Sequence, residues 1–343
     1  MFECVVGGRG WGNEAMTLLR FVRLLLLGVV LVAHTFNSAR AQDFPARPIT
    51  MVVPFAAGGA GDILSRMLAP RLEQVWGKPL IVDIKPGAGG VIAAQAVARA
   101  APDGYTLMIA PSPVMAVNVT LFKTLSYDPA VDFVPLALAA QTPFVLVVNP
   151  DLPIRSVRDL IDYVKARPGQ LSYATAGPGV PHHLFAELFK SMTGIDMSPV
   201  AYRGSVPALA DVVAGHVPFM FVDLGPALSI IQAGKVRPLG VSTATRLAAI
   251  PDVLPIAEAG VPGFDAASWQ MIVAPAGVPR LIAGKLHGEF KSLLATPAIR
   301  DQISRNGMVP MENPSIAALQ DFVKAEIVRW GKVVHQAGIA GSQ

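Results

Sequence analysis

Two glycine-rich stretches hold the residues best suited to chemistry. The first is Pro54-Phe55-Ala56-Ala57-Gly58-Gly59-Ala60-Gly61-Asp62, and the second is Thr175-Ala176-Gly177-Pro178-Gly179-Val180-Pro181-His182-His183. Each lies between an apolar run and a helical pattern. A strand that opens through such a turn into a helix start aims several backbone N–H groups at one point, beside the positive end of the helix dipole. That arrangement holds an anion without any charged side chain. Phe55, Ala57, Gly58 and Gly59 on one turn, and Thr175, Ala176, Gly177 and Gly179 on the other, are therefore the candidate ligand-binding residues. A charge-assisted hydrogen bond contributes about 1.5 to 3 kcal/mol, so three or four give micromolar binding after association costs are subtracted. Alone, the first turn would equally suit phosphate or a dinucleotide. Two turns of one type, about a domain's length apart, are what a two-domain cleft needs.

Nearby side chains have more than one reading. Asp62, a carboxylate at a helix start, is most simply a cap, and it would repel an anion; its other roles are to hold the turn or to meet a ligand amino or hydroxyl group. Thr175 either donates to a carboxylate or satisfies a nearby backbone group. His183 is a first-turn structural residue or stands at the pocket edge. Tyr202 and Arg203 follow a strand end, and Arg203 is the best candidate for holding a second carboxylate. Asp223 ends another strand, where it would orient a ligand hydroxyl or a water. His182, His183 and Glu187 do not make a metal site, because adjacent histidines cannot both face one ion from a helix and no third ligand is placed by spacing. Gly87-Ala88-Gly89-Gly90 lacks the full dinucleotide fingerprint, and no nucleophile elbow or paired-acid motif is present. Neither an enzyme nor a cofactor is expected.

The elements that must position these turns alternate regularly. The apolar run 49–53 precedes the first turn, and Ile63, Leu64, Met67, Leu68, Leu72 and Val75 follow it at helical spacing. Runs at 80–84 and 105–110 read as two more strands, with a small-residue helix from Val91 between them. This rhythm predicts an α/β protein with parallel strands and helices on both faces. Pro70 predicts a kink or an early break in the first helix. Residues 112–132 read as looser, and 143–150 as an apolar strand buried on both faces. Ser156 caps a helix in the manner of a capping box. Leu184, Phe185, Leu188, Phe189 and Met192 form the core face of the helix after the second turn. Further helices are expected at 207–214, 226–233, 281–294 and 316–334, with a strand at 217–222, an apolar run at 236–242 that carries the chain back towards the first domain, and the stretch 268–277 before the last helices. No low-complexity linker is visible, so crossing strands are expected to join two domains, one of residues 42–143 and 244–343, the other of residues 144–243.

Of the 343 residues, 52% are hydrophobic and 15% charged, enough apolar matter for two cores and too much for disorder. An uninterrupted apolar run at 24–33, with Arg20 and Arg23 before it and Ala39-Arg40-Ala41 after it, reads as a secretory signal peptide over residues 1–41. The run is too short for a membrane span. Met16 would begin a cleaner leader than Met1. The only cysteine, Cys4, precedes the cleavage point, so neither a disulfide nor a lipid attached through a cysteine is expected. Setting aside the four basic and two acidic residues before position 42 lowers the formal charge from +4 to +2. With no basic stripe, nucleic acid is not a partner. An exported, monomeric protein of a Gram-negative periplasm is expected.

Several motifs then occur in one order: Met51-Val-Val-Pro-Phe-Ala-Ala-Gly-Gly-Ala-Gly-Asp62, Lys85-Pro-Gly-Ala-Gly-Gly90, Ala101-Pro-Asp-Gly-Tyr-Thr-Leu107, Tyr127-Asp-Pro129 with Asp132-Phe-Val-Pro135, Gly177-Pro-Gly179 with His182-His-Leu184, Ala201-Tyr-Arg-Gly204, and Ala257-Glu-Ala-Gly-Val-Pro-Gly-Phe264 with Ser268-Trp269. In this order and spacing the chain resembles the periplasmic solute-binding proteins of tripartite tricarboxylate transporters, the Bug family, over about residues 44–339. The resemblance implies a type II periplasmic binding-protein fold in which two α/β domains close on a small carboxylate, with ordered waters helping to bridge it. It also implies integral-membrane transporter subunits as partners. An exported sensor of the same fold, signalling to a membrane protein, is the alternative. Two positions depart from the family's habit: Gly61 replaces the usual Thr or Ser and removes a hydroxyl donor, and Ile84 stands where Asn is frequent.

Overall fold

The long strand Phe133–Val148 organises the architecture, because it belongs to two sheets in turn. The computed structural model describes residues 44–343, so the leader read at 1–41, with Met16 and Cys4, lies outside the described residues. Residues Arg47–Gln343 form one compact unit. Along it come β1 (Ile49–Val53), α1 (Ala60–Trp76), β2 (Leu80–Ile84), α2 (Val91–Ala98) and β3 (Thr106–Pro111). After a helical turn at Asn118–Leu121 follow β4 (Phe133–Val148), α3 (Val157–Lys165), β5 (Ser172–Thr175), α4 (Pro181–Thr193), β6 (Ser198–Ala201), α5 (Ser205–Val213), β7 (Phe219–Asp223), α6 (Leu224–Gln232) and β8 (Arg237–Val241). The chain finishes with β9 (Ala267–Pro275), α7 (Arg280–Leu294), α8 (Pro297–Arg305), β10 (Val309–Pro310) and α9 (Ile316–Gln336).

β1 pairs in parallel with β2 and β3, as the alternating pattern predicts. β9 then joins β3 in the antiparallel sense, and β4 joins β9 likewise, from Phe133 opposite Pro275 to Pro143 opposite Ala267. At the next residue the partners change. From Phe144 opposite Asp223 to Val148 opposite Phe219, β4 pairs with β7, and β8 lies on its other side. β5 continues that second sheet, parallel to both β7 and β6. The run 236–242 thus adds β8 to the second sheet. β4 is also longer than the sequence reading, which began the strand at 143. Pro135 conceals its first half: a proline removes a ladder donor and is tolerated at bulges, and the register against β9 shifts beside it.

The expected early break at Pro70 does not occur. α1 runs through it to Trp76 and ends on Gly77, whose positive φ of 63° suits a left-handed cap. Met67, Leu68, Leu72 and Trp76 on either side of Pro70 are buried, Trp76 meeting Phe290 of α7 edge-on, and their burial outweighs the one hydrogen bond the proline removes. Ser156 caps α3 as its spacing predicts, accepting from the Asp159 N–H at 3.0 Å.

α9 ties the apolar core together. Trp330 stacks on Phe185 of α4, and Phe185 meets Phe221 of β7 edge-on. The buried Glu326 carboxylate accepts both the Trp330 and the Trp269 indole N–H groups, at 2.9 and 2.7 Å, and Arg329 adds its charge at 3.2 Å. A buried carboxylate is tolerable only when it is satisfied in this way. Trp330→Ala removes the stacking ring and one indole donor, and is expected to lower unfolding stability by about 3 to 5 kcal/mol in urea denaturation. A loss below about 1 kcal/mol would mean that α9 does not fasten this core.

Candidate functional site

Both glycine turns stand where a strand passes into a helix. In the first, β1 ends at Val53 and α1 starts at Ala60 with Gly59 as N-cap, without any side-chain cap. Gly58 has φ of +82°, a backbone that L side chains rarely adopt. In the second, β5 ends at Thr175 and α4 starts at Pro181 behind Val180, again with no side-chain cap. The first N–H groups of α1 therefore have no acceptor within the helix, whereas in α4 Pro181 carries no N–H and the His183 N–H turns back to the Val180 carbonyl at 2.9 Å.

The named side chains mostly hold the turns. Asp62 sits in the third position of α1 and is buried; it accepts the Gly58 N–H at 2.9 Å and the Arg66 Nε–H at 2.7 Å. Of its readings, turn-holding is the one this geometry displays, and the cap position belongs to Gly59. The Thr175 hydroxyl donates to the Gly177 carbonyl at 3.0 Å and lies opposite the Gly177 N–H at 3.3 Å, so its polar group serves the turn rather than reaching outward. The Gly179 N–H donates to His183 Nδ1 at 3.1 Å. Burial holds the His183 pKa below its ordinary value, partly offset by Glu187, so the ring is a neutral acceptor. Gly179 also approaches Leu121 so closely that a Cβ there would lie 2.0 Å from a leucine methyl. Phe55 is half-buried, and Ala57 is exposed beside it; Ala176 and Gly177 are half-buried.

The other predicted residues divide. Tyr202 donates its hydroxyl to Asp211 at 2.7 Å, and burial together with that carboxylate pushes its pKa up to about 12. The hydroxyl is thus engaged within the second sheet's own helices. Arg203 is exposed and, among the described residues, makes no ion pair. Asp223 joins three helix starts. It is the N-cap residue of α6; its Oδ1 accepts from Ser205, the first residue of α5, at 2.6 Å, and lies 3.1 Å from Nε2 of His182 in the first turn of α4. Burial opposes its charge, but the His182 and Ser205 hydrogen bonds prevail and hold its carboxyl below the usual range. His182 and His183 thus face different partners. Among the described residues no group of three or more metal-ligating side chains assembles, and no helix is long and apolar enough to cross a membrane.

Several residues near the turns escape sequence reading. Gln270 and Thr142 are buried polar residues in apolar strands, and Ser205 looks like an ordinary helix start. Only the interruption of apolar runs by a single polar residue signals the first two. Gly61 has a packing reason: a Cβ on it would lie 3.2 Å from the Ile109 methyl and 3.5 Å from Val53, so the glycine lets α1 settle closely on β1 and β3.

Comparison with known proteins follows this geometry. Residues 64–339 match the family described as the tripartite tricarboxylate transporter family receptor, TctC. Protein BugT of Bordetella pertussis is 35% identical over 324 residues, spanning 93% of this chain and 99% of that protein. The structure of R. palustris Rpa4515 with adipate is 40% identical, with a TM-score of 0.82 over 87% of this chain and 99% of that one. MatC (Rpa3494) from Rhodopseudomonas palustris with bound malate is 33% identical, with a TM-score of 0.77 over 85% and 100%. The periplasmic binding protein BugD is 31% identical, with a TM-score of 0.77 over 87% and 99%. The chain therefore has the α/β periplasmic binding-protein fold of these structures.

His183 gives the site a measurable pH response. A histidine kept neutral by burial contributes its full stability above its ordinary pKa of 6.5, and that contribution falls away as the pH drops below it. Between pH 7.5 and 5.0 the wild-type Tm is expected to fall more steeply than that of His183→Gln. Parallel slopes would show that the ring is not held neutral.

Proposed function

Since the chain belongs to the tripartite tricarboxylate transporter receptor family, we propose that it captures a small dicarboxylate between its two glycine turns and presents it to membrane subunits of such a transporter. As a member of that family it is a transport receptor and not an enzyme. The observation that carries the ligand reading is the pair of strand-to-helix junctions at Gly59 and Val180, both free of side-chain caps. The first offers the N–H groups of Ala60, Gly61 and Asp62; in the second Pro181 has none and the His183 N–H returns to the Val180 carbonyl, so His182 supplies the helix-start donor, and both offer the positive end of a helix dipole to a carboxylate. The polar groups of Asp62, Thr175 and His183 take up the Gly58, Gly177 and Gly179 N–H groups, so the turns are pre-set and the remaining amides at the helix starts lose little freedom on binding. Exposed Arg203 is the charged side chain available to a second carboxylate. The adipate and malate held by the two R. palustris proteins support the dicarboxylate class.

The same reading divides the receptor into a lobe of residues 42–143 and 244–343 and a lobe of residues 144–243. β4 changes sheets between Pro143 and Phe144, at that boundary. Hinge closure over the ligand would give the transporter a shape to recognise. The periplasm, reached through cleavage after Ala41, is the proposed site of action, and a monomer the proposed working form.

Calorimetry with C4 to C6 dicarboxylates tests the reading, together with mass spectrometry of any ligand retained on native purification. At least one dicarboxylate is expected to bind at micromolar Kd or better. Gly59→Val is expected to weaken it roughly a hundredfold by crowding the first turn. The variant should still fold, because φ of −78° suits any residue and a Cβ would meet only Ala56 O at an ordinary 3.5 Å. Binding of a sugar or a metal ion in place of every dicarboxylate would overturn the proposal.

A further inference from the structure

At the end of the first sheet beneath α1, β9 presents Ser268 and Gln270 on one face. Thr142 of β4 lies directly opposite Ser268, and Ser112 follows the last residue of β3. All four are buried, Thr142 and Gln270 at 6% exposure. The two serine hydroxyls lie 2.9 Å apart and share one hydrogen bond. Thr142 Oγ1 and Gln270 Oε1 have no hydrogen-bond partner among the described residues. A buried polar atom left alone costs roughly 1 to 3 kcal/mol, so two in one patch of an apolar sheet mark a place built for something else. Gln270 Oε1 faces the start of α1, 3.6 Å from the point that a Cβ on Gly61 would occupy. The patch therefore forms a polar floor under the helix N-terminus assigned above to a ligand carboxylate.

We propose that this floor reads a hydroxyl group on the ligand, with Gln270 as the specificity-determining residue, so that hydroxylated dicarboxylates are preferred over their plain counterparts. This rests on the carboxylate reading of the site. The chemistry of the floor selects an alcohol. The Gln270 oxygen only accepts. Thr142 both donates and accepts, and of the two serine hydroxyl hydrogens the mutual bond uses one. A hydroxyl answers both demands, whereas a methylene answers neither and leaves the acceptor bare. Sites built to bond a hydroxyl reject the analogue that lacks it for this reason.

Two matched pairs test the proposal by calorimetry at pH 7: malate against succinate, and 2-hydroxyadipate against adipate. In each pair that binds, the hydroxylated acid is expected to bind roughly tenfold more tightly to the wild type. Gln270→Leu should reduce that ratio to within about twofold, by weakening the hydroxylated acid and by sparing the plain acid the bare acceptor. Equal affinities within a pair on the wild type overturn the floor's role and leave the carboxylate reading standing. Binding of none of the four acids overturns both. The wild-type ratio decides the matter even if the variant does not fold, and Thr142→Val provides a second variant expected to lower the ratio in the same direction.

Discussion

Everything else in the structure depends on the double pairing of β4. A strand buried on both faces has no water to satisfy its backbone, so each N–H and C=O must find a ladder partner. β4 finds them on β9 up to Pro143 and on β7 and β8 from Phe144 onward. Two sheets are thereby joined through an unbroken main chain rather than through side-chain contacts alone. The glycine turns inherit their placement from this arrangement, because the strands that feed them, β1 and β5, belong to the two sheets that β4 connects. The Trp330 to Phe185 stack and the shared Glu326 carboxylate then brace α9 against both.

The division of labour at the turns follows from which polar groups are already satisfied. Asp62, Thr175 and His183 direct their hydrogen bonds inward, at Gly58, Gly177 and Gly179. These bonds leave the helix starts themselves without caps. Asp223 does comparable work at a larger scale, drawing the beginnings of α4, α5 and α6 to one carboxylate through His182 and Ser205. Residues that look like ligand contacts in a sequence are in this way the struts that hold main-chain donors in place.

Much of this was legible beforehand, for identifiable reasons. Glycines at forced positive φ, such as Gly58 and Gly179, announce their turns because few other residues fit there. The order of apolar runs and small-residue helices conveyed the parallel start of the first sheet. The first half of β4 stayed hidden because Pro135 forbids a regular ladder, and only a bulge makes room for it. Pro70 misled in the opposite direction, since tertiary burial overrode its local preference. Gln270 was unreadable for another reason: a lone amide in an apolar strand acquires meaning only when the fold brings it beneath Gly61. The hydroxyls of Thr175 and Tyr202 were legible as polar groups but not in direction, because their partners are set by turn and helix geometry rather than by spacing.

The uncapped turns have an evolutionary corollary. If recognition is carried by peptide amides, an alanine scan registers where a side chain holds the turn, at Asp62, Thr175 and His183, and passes almost silently over the residues that offer only their amides. At those other positions, changes to the chain itself, such as a proline that deletes an N–H or a bulky residue that re-aims the turn, would register. Side chains around such a grip would be free to drift; two structures 40% and 33% identical to this chain carry adipate and malate respectively.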